Sequence, residues 1–102
     1  MHDAPLQFAL PRSVAAIIDL ERVPKLARAA GGHDLLFKYH TAGHAVYVTC
    51  SRDVAVSLLE SLRFRMSISA VRPEHMLEYV DAIARVQQAL GLSATPPRRD
   101  VP

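Results

Sequence analysis

The chain has 102 residues, of which 50% are hydrophobic and 22% charged, and a formal net charge of +2. This length provides for one hydrophobic core, and the composition is that of a globular protein rather than a disordered chain. No apolar run approaches the roughly 20 residues of a membrane-spanning helix, and the first residues do not resemble a signal peptide. We therefore expect one cytoplasmic domain with no membrane contact.

The distribution of charge, the single cysteine and the glycine pair restrict the expected binding partners, disulfides and cofactors. The basic residues are spread along the chain instead of forming a block, which argues against nucleic acid as a partner, because its binding depends on neutralising phosphates. Cys50 is the single cysteine, which leaves no internal disulfide and predicts a buried, inert thiol. Gly31-Gly32 is typical of a helix end and not of a phosphate-binding loop, and we expect no cofactor.

The first predicted elements are a strand and a helix. Residues 13 to 19, SVAAIID, are short, apolar and partly β-branched, which favours a buried strand, with the start of a helix as the alternative. A helix over residues 20 to 30 follows, because Asp19 can serve as its N-cap and Pro24 lies near the tolerated entry positions. Gly31-Gly32 ends this helix.

A β-hairpin is predicted next. The segments DLLFKYH, residues 34 to 40, and HAVYVTC, residues 44 to 50, are rich in strand-forming residues. They are separated by Thr41, Ala42 and Gly43, and three-residue hairpin loops with glycine in the left-handed conformation are common. In this register His40 and His44 face each other at the end of the hairpin.

Three further elements complete the predicted fold. Ser51 is the expected N-cap of a helix. The alternating segment 64 to 71 is predicted to be a strand, and the alternative is that the preceding helix continues through it. A last helix is predicted to begin at Pro73 and to end at Gly91. The order matches a ferredoxin-like βαββαβ antiparallel sheet with an additional C-terminal helix, in the α+β class. We expect one domain over residues 1–92 and a disordered tail over 93–102.

The HTAGH motif, His40 to His44, resembles the HExxH signature of zinc peptidases, and YHTAGHAV is similar to the HEAGHA stretch of membrane-bound AAA metalloproteases. The resemblance covers fewer than ten residues and implies that His40 and His44 could ligate a metal. Thr41 replaces the catalytic glutamate, so the hydrolytic chemistry does not carry over. A third ligand would have to come from elsewhere, and we predict no metal site. The candidates for that third ligand are His33, Asp34, Cys50 and His75.

The faces of the hairpin provide the other candidate sites. Alternation places Phe37, Tyr39 and Tyr47 on one face and His40 and His44 on the other, and both faces are largely apolar. We expect a non-enzymatic regulatory or protein-interaction module that forms a homodimer and self-associates through its sheet face or C-terminal helix. The alternatives are a metal- or small-ligand-binding protein that uses the two histidines, and a single-stranded RNA-binding domain that uses the three aromatic rings.

Overall fold

The computed structural model describes residues 4–91, so the predicted tail over 93–102 lies outside the described residues. This part of the chain contains three β-strands and four α-helices, with single 3-10 turns, Leu20–Arg22 and Pro73–His75, leading into the second and fourth helices. The strands are β1 (Leu6–Pro11), β2 (Phe37–Ala42) and β3 (Ala45–Cys50), and the helices are α1 (Arg12–Ile17), α2 (Val23–Ala29), α3 (Arg52–Ser67) and α4 (Met76–Ala89). None of these helices has both the length and the apolar character needed to span a bilayer.

The strands form one antiparallel sheet in the order β1-β3-β2, which confirms the α+β class. Because β1 and β2 are each antiparallel to β3, they run parallel to one another, with α1 and α2 in the connection between them. This is the first half of the predicted arrangement. The complete ferredoxin-like order is not confirmed, because residues 4–91 contain three strands and α4 packs against β1.

The first strand lies upstream of its predicted position. Leu6–Pro11 forms β1 and Arg12–Ile17 forms α1, so the predicted strand over residues 13 to 19 is wrong. Leu6, Phe8 and Leu10 alternate along β1 and share the face of the sheet that carries the core. Pro11 ends the strand, since its ring fixes φ and the residue has no N–H to donate.

The third helix begins as predicted but continues further. The side chain of Ser51 accepts a hydrogen bond from the N–H of Val54, which confirms it as the N-cap. The helix continues to Ser67, so the predicted strand over 64 to 71 is wrong. It ends where Ser69 adopts a φ of 56° and the N–H of Ala70 donates to the carbonyl of Arg65 at 2.9 Å, a left-handed helix termination.

The fourth helix confirms the prediction of a helix after Pro73 that stops at Gly91, where φ is +79°. It packs against β1 and α3. Its C-terminal end is held by Arg52, whose two terminal nitrogens donate to the carbonyl oxygen of Leu90 at 2.9 and 2.8 Å. A guanidinium at this position also complements the negative end of the helix dipole.

The core lies on one face of the sheet, beneath the helices. It includes the inward residues of the central strand and the apolar sides of α3 and α4. Its largest fully buried side chains are Tyr79, Leu10, Leu58, Leu62, Val14, Val23, Val48, Val54, Val86 and Cys50. The opposite face of the sheet is not covered by any helix of residues 4–91 along its centre, where Tyr47 is 47% exposed.

Gly32 allows the loop after α2 to pass close to α3. A Cβ atom at this position would lie 2.9 Å from the carbonyl oxygen of Ala27 and 3.1 Å from Cβ of Asp53. The neighbouring N–H groups of His33 and Asp34 donate to the Asp53 carboxylate at 3.1 and 3.3 Å. The loop is therefore held against α3 at a point with no room for a side chain.

Substituting Gly32→Ala is expected to lower the free energy of unfolding by about 1–3 kcal/mol, the usual cost of overpacking. Urea denaturation of the variant measures this change. Ala30→Ser, at an exposed position on the same turn, is the matched control and should change stability by less than about 0.5 kcal/mol. Equal stabilities for the two variants would show that the loop can move away without cost.

Candidate functional site: the hairpin, its free edge and two clefts

The register of the hairpin determines which predicted site residues share a face. Ala42 pairs with Ala45, so the loop contains two residues instead of the predicted three. Tyr47 consequently lies opposite His40. Because a pairing shift by an odd number of residues exchanges the two faces of a strand, the predicted placement of Tyr39 and Tyr47 on one face is wrong.

The five residues predicted to form the site separate into three groups. Phe37 and Tyr39 lie on the helix-covered face with ring centroids 5.4 Å apart. His40 and Tyr47 stack on the open face at 5.4 Å with an interplanar angle of 23°. His44 lies in the turn and is not the cross-strand neighbour of His40, contrary to the prediction.

The open face of the sheet is small and chemically mixed. Its one large ring is Tyr47, and Lys38 and His40 are exposed beside it. The three aromatic residues proposed as a base-stacking platform therefore do not form one surface. The residues of this face are Gln7, Ala9, Pro11, Lys38, His40, Ala42, Ala45, Tyr47 and Thr49.

A cleft of about 410 Å³ adjoins the open face beside the hairpin turn, where His44 and Tyr47 face residues of α4. The charged side chains in this cleft are Asp81 and Arg85, which form an ion pair at 2.7 Å between Oδ2 and Nε. Since each charge is satisfied by the other, the cleft offers little to orient a charged ligand.

Tyr39 belongs to a second cleft, on the other side of β2. Its hydroxyl donates to Oε2 of Glu21 at 3.4 Å. Loss of hydration and the nearby Glu21 carboxylate both raise the pKa of Tyr39. The phenol therefore remains neutral at physiological pH and acts as a hydrogen-bond donor that ties β2 to the turn before α2.

The two histidines do not belong to a metal centre in this part of the chain. Within residues 4–91, no three histidine, cysteine, aspartate or glutamate side chains lie close enough together to hold a metal ion. Burial raises the pKa of the Cys50 thiol to about 12, so it stays protonated and is a poor ligand. The N–H of Leu36 donates to Oδ1 of Asp34 at 3.2 Å, which gives this carboxylate a local structural partner.

The outer edge of β2 is the feature of the hairpin that is left without a partner among the described residues. The N–H of Ser51 donates to the carbonyl of Leu36 at 2.9 Å, and this bond fixes the alternation of the ladder. The even-numbered residues of β2 bond to β3, so the N–H and C=O groups of Phe37, Tyr39 and Thr41 point away from the sheet. Five of the six β2 residues are exposed.

The opposite edge of the sheet is protected. Pro11 has no N–H on the outer side of β1, and α4 packs against this strand. Natural sheets shield their edges in such ways because unpaired strand edges bind other chains. The contrast between the two edges makes β2 the candidate interaction site.

Sequence analysis missed a cleft of about 360 Å³ between α2 and α3. It is lined by Arg22, Ser61 and Arg65 on its polar side and by apolar residues that include Leu26 and Phe64. The interpretation of residues 64 to 71 as a strand concealed it, because only a continuous helix brings Ser61 and Arg65 to one face. Their spacing of four residues is the signal that could have indicated it.

Comparison with protein-family models, with curated proteins and with solved structures found no match to this chain.

Proposed function

We propose that this protein is a small interaction module that forms a homodimer by pairing β2 of one copy, antiparallel, with β2 of a second copy. The observation that supports this proposal is the unshielded outer edge of β2, with the hydrogen-bonding groups of Phe37, Tyr39 and Thr41 directed away from β3. Strand addition at such an edge is a common mode of recognition.

A second copy of the chain fits this edge for a geometric reason. Antiparallel pairing of identical strands follows a two-fold axis, so every group that one copy offers meets the same group of the other. Two three-stranded sheets would merge into one of six strands, a common size for a sheet. The dimer would leave no β2 edge exposed, which removes the aggregation hazard of a free edge.

The side chains of β2 are compatible with close approach. Residues of this edge carry no acidic or proline side chain that would obstruct a partner strand, and the one charged residue, Lys38, lies on the open face. Tyr39 is 40% exposed on the other face, so its ring would become further buried against the second copy. Aromatic pairs across strands stabilise a sheet by roughly 0.2–1 kcal/mol.

Size exclusion with light scattering over a range of concentrations tests the dimer. We expect twice the chain mass of 11.2 kDa at the upper concentrations, and a single copy at every concentration would overturn the proposal. Tyr39→Pro removes an outward N–H from each copy, and since one hydrogen bond contributes about 1 kcal/mol, the dimer dissociation constant should rise roughly tenfold or more.

Tyr39→Ala is the matched control for this variant, because it removes the same ring but keeps the N–H. Its dimer should be weakened less than that of Tyr39→Pro if the main chain carries the association. Circular dichroism of both variants checks that the hairpin remains folded. A dimer that is unaffected by Tyr39→Pro would show that another surface, such as α4, makes the contact.

A further inference from the structure

The cleft between α2 and α3 combines an apolar wall with two unpaired guanidinium groups. Among the residues that the structure describes, Arg22 and Arg65 form no ion pair and their side chains make no hydrogen bond. Arg65 is half-buried and its Nε atom is shielded from solvent without an acceptor. The Nε group of Arg65 has therefore lost its hydration without gaining an acceptor.

The other arginines show how this chain normally satisfies such groups. Arg52 donates to the carbonyl of Leu90, Arg85 pairs with Asp81, and Arg72 pairs with Glu74 at 3.8 Å. The arginines outside this cleft that have no partner among residues 4–91, Arg28 and Arg63, are exposed to solvent. Arg65 is therefore the one arginine of residues 4–91 that is both partly buried and unpaired.

We propose that this cleft binds an amphiphilic monocarboxylate, a molecule with one carboxylate and an apolar body. The guanidinium of Arg65 would bind the carboxylate, for which its planar array of donors is suited. Arg22 adds a second positive charge and the Ser61 hydroxyl can donate a hydrogen bond. The apolar body would contact Leu26 and Phe64, and Phe64 is 62% exposed in the empty cleft.

The charges of the cleft favour a singly charged ligand over a phosphate. Asp19 lines the same cleft, and its carboxylate opposes the accumulation of a second negative charge. The two arginines and one aspartate leave a net charge of +1 to be neutralised, which matches one carboxylate. The volume of about 360 Å³ lies in the range of small-molecule sites.

Titration of the full chain with octanoate, followed by backbone amide chemical shifts, tests this site. We expect saturable shifts at the amides of Leu26, Ser61 and Phe64. Two probes separate the contributions: 1-octanol has the apolar body without the charge, and inorganic phosphate has the charge without the body. Both should bind at least about tenfold more weakly than octanoate. Equal binding of octanoate and octanol would overturn the proposal.

Substitutions at the arginines identify the anion-binding group. Arg65→Gln should raise the dissociation constant for octanoate by about tenfold or more, since hydrogen bonds to charged groups contribute roughly 1.5–3 kcal/mol. Arg65→Lys keeps the charge and should lie between this variant and the unchanged protein. Arg63→Gln, at the exposed neighbouring arginine, is the control and should change the constant by less than about twofold.

Arg22→Gln provides an independent test that does not depend on the folding of an α3 variant, because Arg22 lies on an exposed turn. It should weaken octanoate binding by about threefold or more. If Arg22→Gln and Arg65→Gln both bind octanoate as tightly as Arg63→Gln, the cleft does not recognise the carboxylate. The Tyr39→Pro variant should bind octanoate normally, which separates this site from the dimer edge.

Discussion

Substituting Tyr79→Ala is expected to lower the free energy of unfolding by about 3–5 kcal/mol, the usual cost of truncating a buried aromatic ring. Tyr79 is the largest of the fully buried side chains, with no solvent exposure. It lies in α4, which packs against β1 and α3, so removal of its ring leaves a cavity that the surrounding elements can close only in part. Such a loss is a large fraction of the stability of a small domain.

Tyr79→Phe separates the contribution of the ring from that of the hydroxyl. The Tyr79 hydroxyl is buried and has no hydrogen-bond partner among residues 4–91, and its burial raises the pKa of Tyr79. Because an unpaired buried hydroxyl costs free energy, Tyr79→Phe should leave stability unchanged or increase it by about 1 kcal/mol.

Urea denaturation of both variants measures these changes, with Tyr47→Ala as the control for a ring that is about half exposed. The control should cost about 1 kcal/mol or less, since little apolar surface leaves water at that position. A loss of more than about 1 kcal/mol for Tyr79→Phe would mean that the hydroxyl has a partner, such as a buried water molecule.

Elements with local signals could be predicted from the sequence. The N-cap at Ser51 and the glycine that ends the last helix each act within one helical turn, and both are confirmed. Pro73 begins the 3-10 turn that leads into this helix, which itself starts at Met76 and not at Pro73 as predicted. The hairpin over residues 37 to 50 is also confirmed, because strand-forming residues flank a glycine with a φ of +63°.

Features that depend on tertiary contacts could not be predicted. The alternation from Phe64 to Ala70 is compatible with a strand, but a strand also needs a neighbour, and this segment instead continues α3 to Ser67. The true first strand, over residues 6 to 11, carries the same alternation. Its last residue, Pro11, is acceptable in a strand because β1 lies at an outer edge of the sheet.

The candidate site likewise combines features with local sequence signals and features that depend on tertiary contacts. The sequence identified the hairpin residues, but a loop shorter by one residue than predicted places Tyr47 with His40 and separates it from Phe37 and Tyr39. The loop length could not be decided because both two- and three-residue loops accept glycine. The outer edge of β2 and the side chain of Arg65 have no partner among residues 4–91, and this is a property of the assembled fold that no local sequence pattern indicates.

Alkaline unfolding is expected to depend on Cys50, the last residue of β3, whose thiol is fully buried. Burial raises the pKa of this thiol to about 12, whereas in the unfolded chain it lies at roughly 8.5. Above that value the unfolded state loses a proton that the folded state keeps. The free energy of unfolding therefore falls as pH rises from about 8.5 towards 12, by up to about 1.4 kcal/mol per pH unit.

Urea denaturation measures this contribution when the unchanged protein and Cys50→Ala are compared in a reducing buffer at pH values from 7 to 11. The alanine variant should be less stable at pH 7, because a buried sulfur atom is lost, but its stability should decline less steeply above pH 9. Cys50→Val, which retains more of the volume, should show the same shallow slope. Tyrosine and lysine residues that ionise in this range are common to all three proteins and cancel in the comparison. Between pH 7 and pH 11 the unchanged protein should lose roughly 3 kcal/mol more stability than the alanine variant, and parallel curves would mean that the Cys50 thiol ionises in the folded state as readily as in the unfolded chain.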